Sequence, residues 1–241
     1  MCVRALWQQR CTLGKVRLVV MFDIIYMSYQ ESNADDNWKL LVDRFPWARR
    51  VHGVKGLVNA HIECAKVSRT SMYWHVEADT IVKDDFDFTY RPDKWNRDVV
   101  HVWRAENPVN GLTYGNNGIK LFPTNKVLAL EGKEVTDFTT SVSDKFKAVQ
   151  VVASTVSADT DAYNTWKSAF RECVKLQSGL IDRQKQDETE ERLEAWCTVG
   201  RGPHGQSSID GANDGKKYVL DGGDVTKIND FDWLQEMYYN V

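Results

Sequence analysis

Along the first half of the chain the spacing of apolar residues switches between the strand and helix periods. Phe22-Asp-Ile-Ile-Tyr-Met-Ser-Tyr29 has the make-up of a core strand and runs into a polar turn, Gln30-Glu31-Ser32-Asn33. Ser32 or Asn33 can cap the helix that follows, which carries Trp38, Leu41, Val42 and Phe45 on one face and stops at Pro46. Arg49-Arg-Val-His-Gly-Val54 predicts a short second strand with a basic entry. Gly56 opens a second helix, with Val58, Ile62, Ala65 and Val67 at near-helical spacing. Met72 to Val76 is apolar and aromatic-rich, a strand buried on both faces, and it ends in acid at Glu77 and Asp79. Strand, helix, strand, helix, strand predicts a parallel sheet with crossover helices. In such sheets ligands bind at the carboxyl ends of the strands, which would gather Ser28, Tyr29, His52, Glu77 and Asp79.

Val99 to Trp103 predicts a further strand, followed by Arg104 and a turn-rich loop, Glu106-Asn-Pro-Val-Asn-Gly111. Tyr114-Gly-Asn-Asn-Gly118 is a second such loop and leads into Ile119-Lys-Leu-Phe122, closed by Pro123. Gly and Asn permit close approach of the backbone to a ligand, and two ordinary hairpin turns account for them equally well. Beyond residue 130, Thr136 to Ser143 and Ser154 to Asp161 are polar and β-branched and predict connectors with short strands. Ala162 to Arg183 is a strongly amphipathic helix, with Trp166, Phe170, Val174 and Leu176 or Gln177 along one side. Glu188 to Trp196 predicts a charged helix, Val199 to Gly205 a glycine-rich loop around His204, and Ile228 to Leu234 a helix start with aromatic anchors. There is no internal repeat.

Composition narrows the function classes. The 241 residues are 42% hydrophobic and 11% aromatic, with nine Trp, enough for a sizeable core. A net charge of -3 gives no global attraction to a polyanion, so any nucleic-acid contact has to come from a local basic patch. Five Cys with no CxxC spacing argue against a structural zinc site or a disulfide framework and fit a reducing compartment. No apolar run reaches membrane-spanning length. Residues 1–20 are basic and read as an N-terminal extension, because Met21 stands just before the first clean strand.

The chemistry concentrates at Glu77 and Asp79. Two apart on an extended backbone, both carboxylates leave from the same face and repel unless a cation lies between them. Oxygen ligands of this kind suit Mg²⁺ or Mn²⁺. The plainer alternative is a strand end running into a solvated acidic turn, since Asp84, Asp85 and Asp87 follow at once.

Several segments together resemble the bacteriophage glycosyltransferases of the GT-A type. They are Phe22 to Tyr29, Asn33-Ala-Asp35, Val51-His-Gly-Val-Lys-Gly56, Asn59-Ala-His61, Glu77-Ala-Asp79, Tyr114-Gly-x-x-Gly-x-Lys-Leu-Phe-Pro123 and Asn164-Thr-Trp-Lys-x-Ala-Phe-Arg-Glu172. The family includes enzymes that place sugars, arabinose among them, on 5-hydroxymethylcytosine in phage DNA. The resemblance covers roughly residue 22 to the end. It implies an α/β fold with a mostly parallel, Rossmann-type sheet flanked by helices and a C-terminal helical and loop extension. Residues 21–135 would bind the nucleotide sugar, and residues 136–241 would form the acceptor side of the same domain. The family pattern is Asp-x-Asp, and Glu77 departs from it.

The resemblance implies a UDP-sugar donor, a divalent metal, DNA carrying modified cytosine as acceptor, and a place in the cytoplasm of the infected bacterial host. Asp79 would be the direct metal ligand with Glu77 in support, and His204 a third ligand. Ser28, Tyr29, Asn33, Lys55, Asn59, Glu77, Asn117 and Gly118 are the candidate donor contacts. Lys55 and Arg104 suit the diphosphate, which needs cations beyond the metal. Asp137 or Asp144 could serve as general base if the anomeric centre inverts, and a retaining enzyme needs no such base. His52, His61, His75 and His101 are better explained by packing. Arg49 and Arg50, with Lys167, Arg171 and Lys175 four residues apart on one helix face, are the candidate DNA contacts, alongside Arg44, Arg69, Arg183 and Lys185. A solvated helix face is the plainer reading of that row. Three other functions fit less well or equally: a sugar-1-phosphate nucleotidyltransferase, for which Ser28 to Asn33 lacks the expected glycine; a glycosyltransferase with a saccharide or lipid acceptor; and a nucleotide-sugar-binding module without catalysis.

Overall fold

A computed structural model describes residues 21–115, 118–133, 135, 137–180 and 186–240. The extension 1–20, Asn117, Arg183 and Lys185 lie outside the described residues. Strand β1 (Asp23–Ser28), helix α1 (Ala34–Arg44), strand β2 (Arg49–His52), helix α2 (Leu57–Val67) and strand β3 (Met72–Glu77) follow in the expected order. β1 lies between β2 and β3 and is parallel to both.

The side-chain period of two then builds a core on each face of the sheet. Ile24, Tyr26, Trp74, Val76, Trp103 and Leu121 pack on one face against Leu41 and Phe45 of α1. Ile25, Val51, Tyr73, Val102 and Phe122 pack on the other against Ile62, Cys64 and Ala65 of α2. Burial on both faces explains why these strands read as continuous apolar runs.

The sheet is mixed, and here the expectation of a mostly parallel sheet is corrected. Strands β4 (Thr80–Val82), β5 (Val100–Glu106), β6 (Thr113–Tyr114) and β7 (Lys120–Pro123) follow β3, and the order across the sheet is β2-β1-β3-β7-β5, then two further strands. β7 is antiparallel to both β3 and β5, and β6 is antiparallel to β5. Parallel neighbours need a crossover connection of a dozen or more residues. Only the loops 107–112 and 115–119 separate β5, β6 and β7, so the chain can only fold back on itself.

Helices α3 (Thr124–Leu128) and α4 (Phe138–Val142) precede an 11-residue strand, β8 (Phe146–Val156). β8 runs parallel to β5 with a register shift around Arg104, and β4 pairs antiparallel with its last residues. The segments expected to be connectors are therefore a short helix and part of a long strand. The C-terminal part is helical: α5 (Ala162–Ser178), α6 (Gln186–Thr198), α7 (Gly205–Leu220), a 3-10 turn (Val225–Asn229) and α8 (Phe231–Asn240). The predicted helix from Ala162 to Arg183 ends early because Gly179 adopts the left-handed conformation, φ 66°, and closes α5. Among the described residues no helix is long and apolar enough to cross a membrane.

Candidate functional site

Parallel pairing puts Met27 opposite Glu77, so the turns after β1 and β3 open at the same end of the sheet. Buried polar contacts fix both turns. The Tyr26 hydroxyl lies 2.8 Å from the Ala34 carbonyl and 3.0 Å from that of Ala78. Asn37 Nδ2 donates to the Ala78 carbonyl at 2.8 Å, and the Ser157 amide donates to the Asp79 carbonyl at 2.7 Å. The Tyr29 amide donates to the Glu31 carboxylate at 2.7 Å. Glu31 is a member of this site that the sequence pattern places only in a polar turn.

The two acids of β3 have different electrostatic surroundings. Glu77 Oε1 lies 2.6 Å from Nζ of Lys120, a lysine only 9% exposed on β7. Burial alone would raise the Glu77 carboxyl, but the ammonium of Lys120, through its charge and its hydrogen bond, more than offsets it and holds it low. The Asp79 carboxyl is raised, first by burial and then by the neighbouring Glu77 and Glu31 charges, against a smaller pull from Lys120 and a backbone hydrogen bond. One acid has its own cation, and the other sits among like charges.

The cations of α5 lie within electrostatic reach of this cluster. Burial lowers the Lys167 ammonium, while Glu31, Asp161 and Asp79 oppose that shift. Burial likewise lowers the Arg171 guanidinium, against the fields of Glu77 and Asp79. Lys175 is half-buried, and its field reaches Glu77. Arg171 Nε donates to the Ile228 carbonyl at 2.8 Å, and both Arg171 and Lys167 stand 5.1 Å from the Phe231 ring centroid. Within the row considered for a DNA backbone, Lys167 Nζ donates to Asn164 Oδ1 at 2.8 Å and Arg171 is held by the C-terminal segment.

The remaining candidates divide. Ser28 Oγ accepts from Arg50 Nε at 2.8 Å and lies 3.0 Å from His52 Nδ1, at the same sheet end as the acids. Asn33 Nδ2 donates to the Ser157 carbonyl at 2.8 Å, tying the β1 turn to the end of β8. Lys55 is exposed and pairs with Asp232 at 3.3 Å, and Asn59 Nδ2 donates to the Lys55 carbonyl. Gly118 is buried just before Lys120. Arg50 also pairs with Asp35 at 2.7 Å, and Arg49 pairs with Asp23 at 2.6 Å. Asp137 is the N-cap of α4, accepting the Thr140 amide at 3.2 Å. Asp144 and Arg104 are exposed, and His204 precedes α7.

For a hard divalent cation the donor set is suitable. Asp79 offers a half-buried carboxylate among like charges, which a cation would relieve, and Glu31 adds a second oxygen donor on the facing turn. Glu77 is already neutralised by Lys120. Among the described residues no three His, Cys, Asp or Glu side chains form a preformed metal-holding group.

Beneath the site, His75 and His61 are buried with ring centroids 4.5 Å apart, and His61 stacks on Phe138 at 3.8 Å. Burial pushes His75 down to about 3 and His61 well below its ordinary value. Both rings are neutral in the folded state, whereas the unfolded chain binds their protons below about pH 6.5. The His75 contribution to stability is therefore complete above the ordinary histidine range and is lost as pH falls toward about 3, and His61 acts in the same direction. Each ring should cost about 1.4 kcal/mol per pH unit over that window. Urea unfolding at pH 6.5 and pH 5 is expected to show this loss, and His75→Phe should remove about half of the histidine contribution to the slope. A wild-type slope unchanged by His75→Phe would contradict it.

Compared with models of known protein families and with curated proteins, the chain matches none.

Proposed function

We propose that the protein is a glycosyltransferase that takes a UDP-sugar and a divalent cation at the carboxyl ends of β1 and β3. The observation that carries this reading is the Asp79 carboxyl, raised by burial and by Glu77 and Glu31 at the end of the sheet where the β1 and β3 turns meet, within electrostatic reach of Lys167 and Arg171 of α5. Asp79 and Glu31 would hold the cation. Once bound, the cation would supply Lewis-acid stabilisation of the departing diphosphate. Lys167 and Arg171, whose charges reach the same acids, would complement an anionic leaving group. Tyr29, half-buried just after β1, would stack on the nucleobase. Lys120 keeps Glu77 ionised and fixed, so its role is to position the strand end.

The acceptor is proposed to be 5-hydroxymethylcytosine in DNA, on the family resemblance. One observation favours a saccharide acceptor as the second reading. Arg49, Arg50, Lys167 and Arg171, four of the cations considered for DNA, all have polar partners within the chain. Incubation with a panel of UDP-sugars and Mn²⁺ decides between them, with hydroxymethylated duplex, plain duplex and simple sugars offered in parallel. Sugar on the modified duplex alone supports the DNA reading, and sugar on the saccharides supports the second. Absence of both transfer and donor hydrolysis would overturn the enzyme assignment.

A further inference from the structure

Away from this site, Cys173 on α5 and Cys197 on α6 meet in one cluster with Ala169, Leu176, Trp196 and Ala212. Each thiol lies near enough to perturb the other. Cys173 is fully buried, while Cys197 is partly exposed. Lys216 of α7 lies close enough for its charge to reach both sulfurs. We propose that the pair is a peroxide-sensitive modification site, with Cys197 as the reacting thiol and Cys173 as the thiol that resolves it to a disulfide joining α5 to α6.

The division of labour follows from the surroundings. A redox-sensitive cysteine is a solvent-accessible thiolate with a resolving thiol beside it. The neighbouring Cys173 thiol lowers Cys197 to about 7, with help from Lys216 and against the effect of burial. Burial pushes the Cys173 thiol well up, so it stays protonated until it is needed. The Cys197 thiolate attacks one peroxide oxygen, the O–O bond breaks, and sulfenic acid and hydroxide form. The Cys173 sulfur then attacks the Cys197 sulfur, its proton passes to the departing hydroxide, and water leaves. Two thiols lose two electrons, and one peroxide becomes two waters. Thiol reductants reverse the bond. Cys64, buried on α2 in the other core with its thiol raised, is the internal comparison. The inference does not depend on the nucleotide-sugar reading.

The test uses the full chain with Cys2→Ser and Cys11→Ser, treated with hydrogen peroxide and mapped by mass spectrometry without reduction. The expected product has lost two hydrogens and links the Cys173 and Cys197 peptides, while Cys64 stays a free thiol. In Cys173→Ala the sulfenic acid at Cys197 should persist, so the fraction of oxidised Cys197 trapped by dimedone rises several-fold over the parent. An equal trapped fraction in the two proteins would overturn the proposal. So would Cys197 reaching the sulfinic state with Cys173 still free, or Cys64 oxidising as readily as Cys197.

Discussion

Replacing Asp79 with asparagine is expected to abolish sugar transfer and, at neutral pH and above, to make the metal-free protein more stable. The carboxyl of Asp79 is raised by burial and by Glu77 and Glu31. The folded state therefore holds this proton more tightly than the unfolded chain does. The stabilisation that proton provides is complete below the ordinary carboxylate range and is lost as pH climbs through the raised value. Above it, the ionised group destabilises the fold by about 1–3 kcal/mol, since each tenfold weakening of an acid is worth roughly 1.4 kcal/mol. Asparagine keeps the shape and removes the charge. Chemical unfolding at pH 8 should show the gain, and the gain should vanish near pH 4. A less stable Asp79→Asn protein at pH 8, with an unchanged denaturant slope, would contradict the like-charge account. Strain of this kind is held at functional sites, where a bound ligand relieves it.

A second large effect is expected at Gly211 and Gly215, where α7 lies directly against α5. A Cβ on Gly211 would fall 2.3 Å from the Trp166 carbonyl oxygen, and one on Gly215 would fall 2.5 Å from that of Phe170. The obstacle in both cases is backbone, so no rotamer change relieves it. In an open helix, Gly→Ala stabilises by about 1 kcal/mol through propensity. Here the forced separation of two packed helices outweighs that gain, and Gly211→Ala should cost a net of about 2 kcal/mol. For a chain of this size that is a drop in Tm of roughly 4–8 °C. Calorimetric unfolding checks it, and a Tm at or above the parent's would show that the helices are not in backbone contact.

That contact also shows where sequence reading runs out. The buried face of α7 is Ser208, Gly211, Ala212 and Gly215, which carries no apolar periodicity to detect. β8 escaped notice for a similar reason: Lys147, Gln150 and Val151 are exposed, and the register shift beside Arg104 breaks its alternation. The first five elements were legible because both faces of β1 and β3 are covered and their apolar runs are unbroken. Strand direction was not legible, since it depends on connection length in a stretch without helices. At the site, Asp79, Glu77, Ser28 and Tyr29 were readable from strand ends. Lys120 was hidden inside an apolar run, although a lysine between Ile119 and Leu121 is itself a signal that a buried acid lies nearby. The four-residue spacing of Lys167, Arg171 and Lys175 gave their shared face correctly but could not say that Lys167 and Arg171 have polar partners within the chain.

The acids at the ends of β1 and β3 are proposed above all to bind a metal–nucleotide-sugar complex. Titration calorimetry with UDP-glucose, in Mn²⁺ and then in excess chelator, tests this most directly on the parent chain and on Asp79→Asn. The expected result is binding by the parent in Mn²⁺, its loss in chelator, and its loss in Asp79→Asn under both conditions. Binding of equal strength in chelator, or by Asp79→Asn in Mn²⁺, would contradict it.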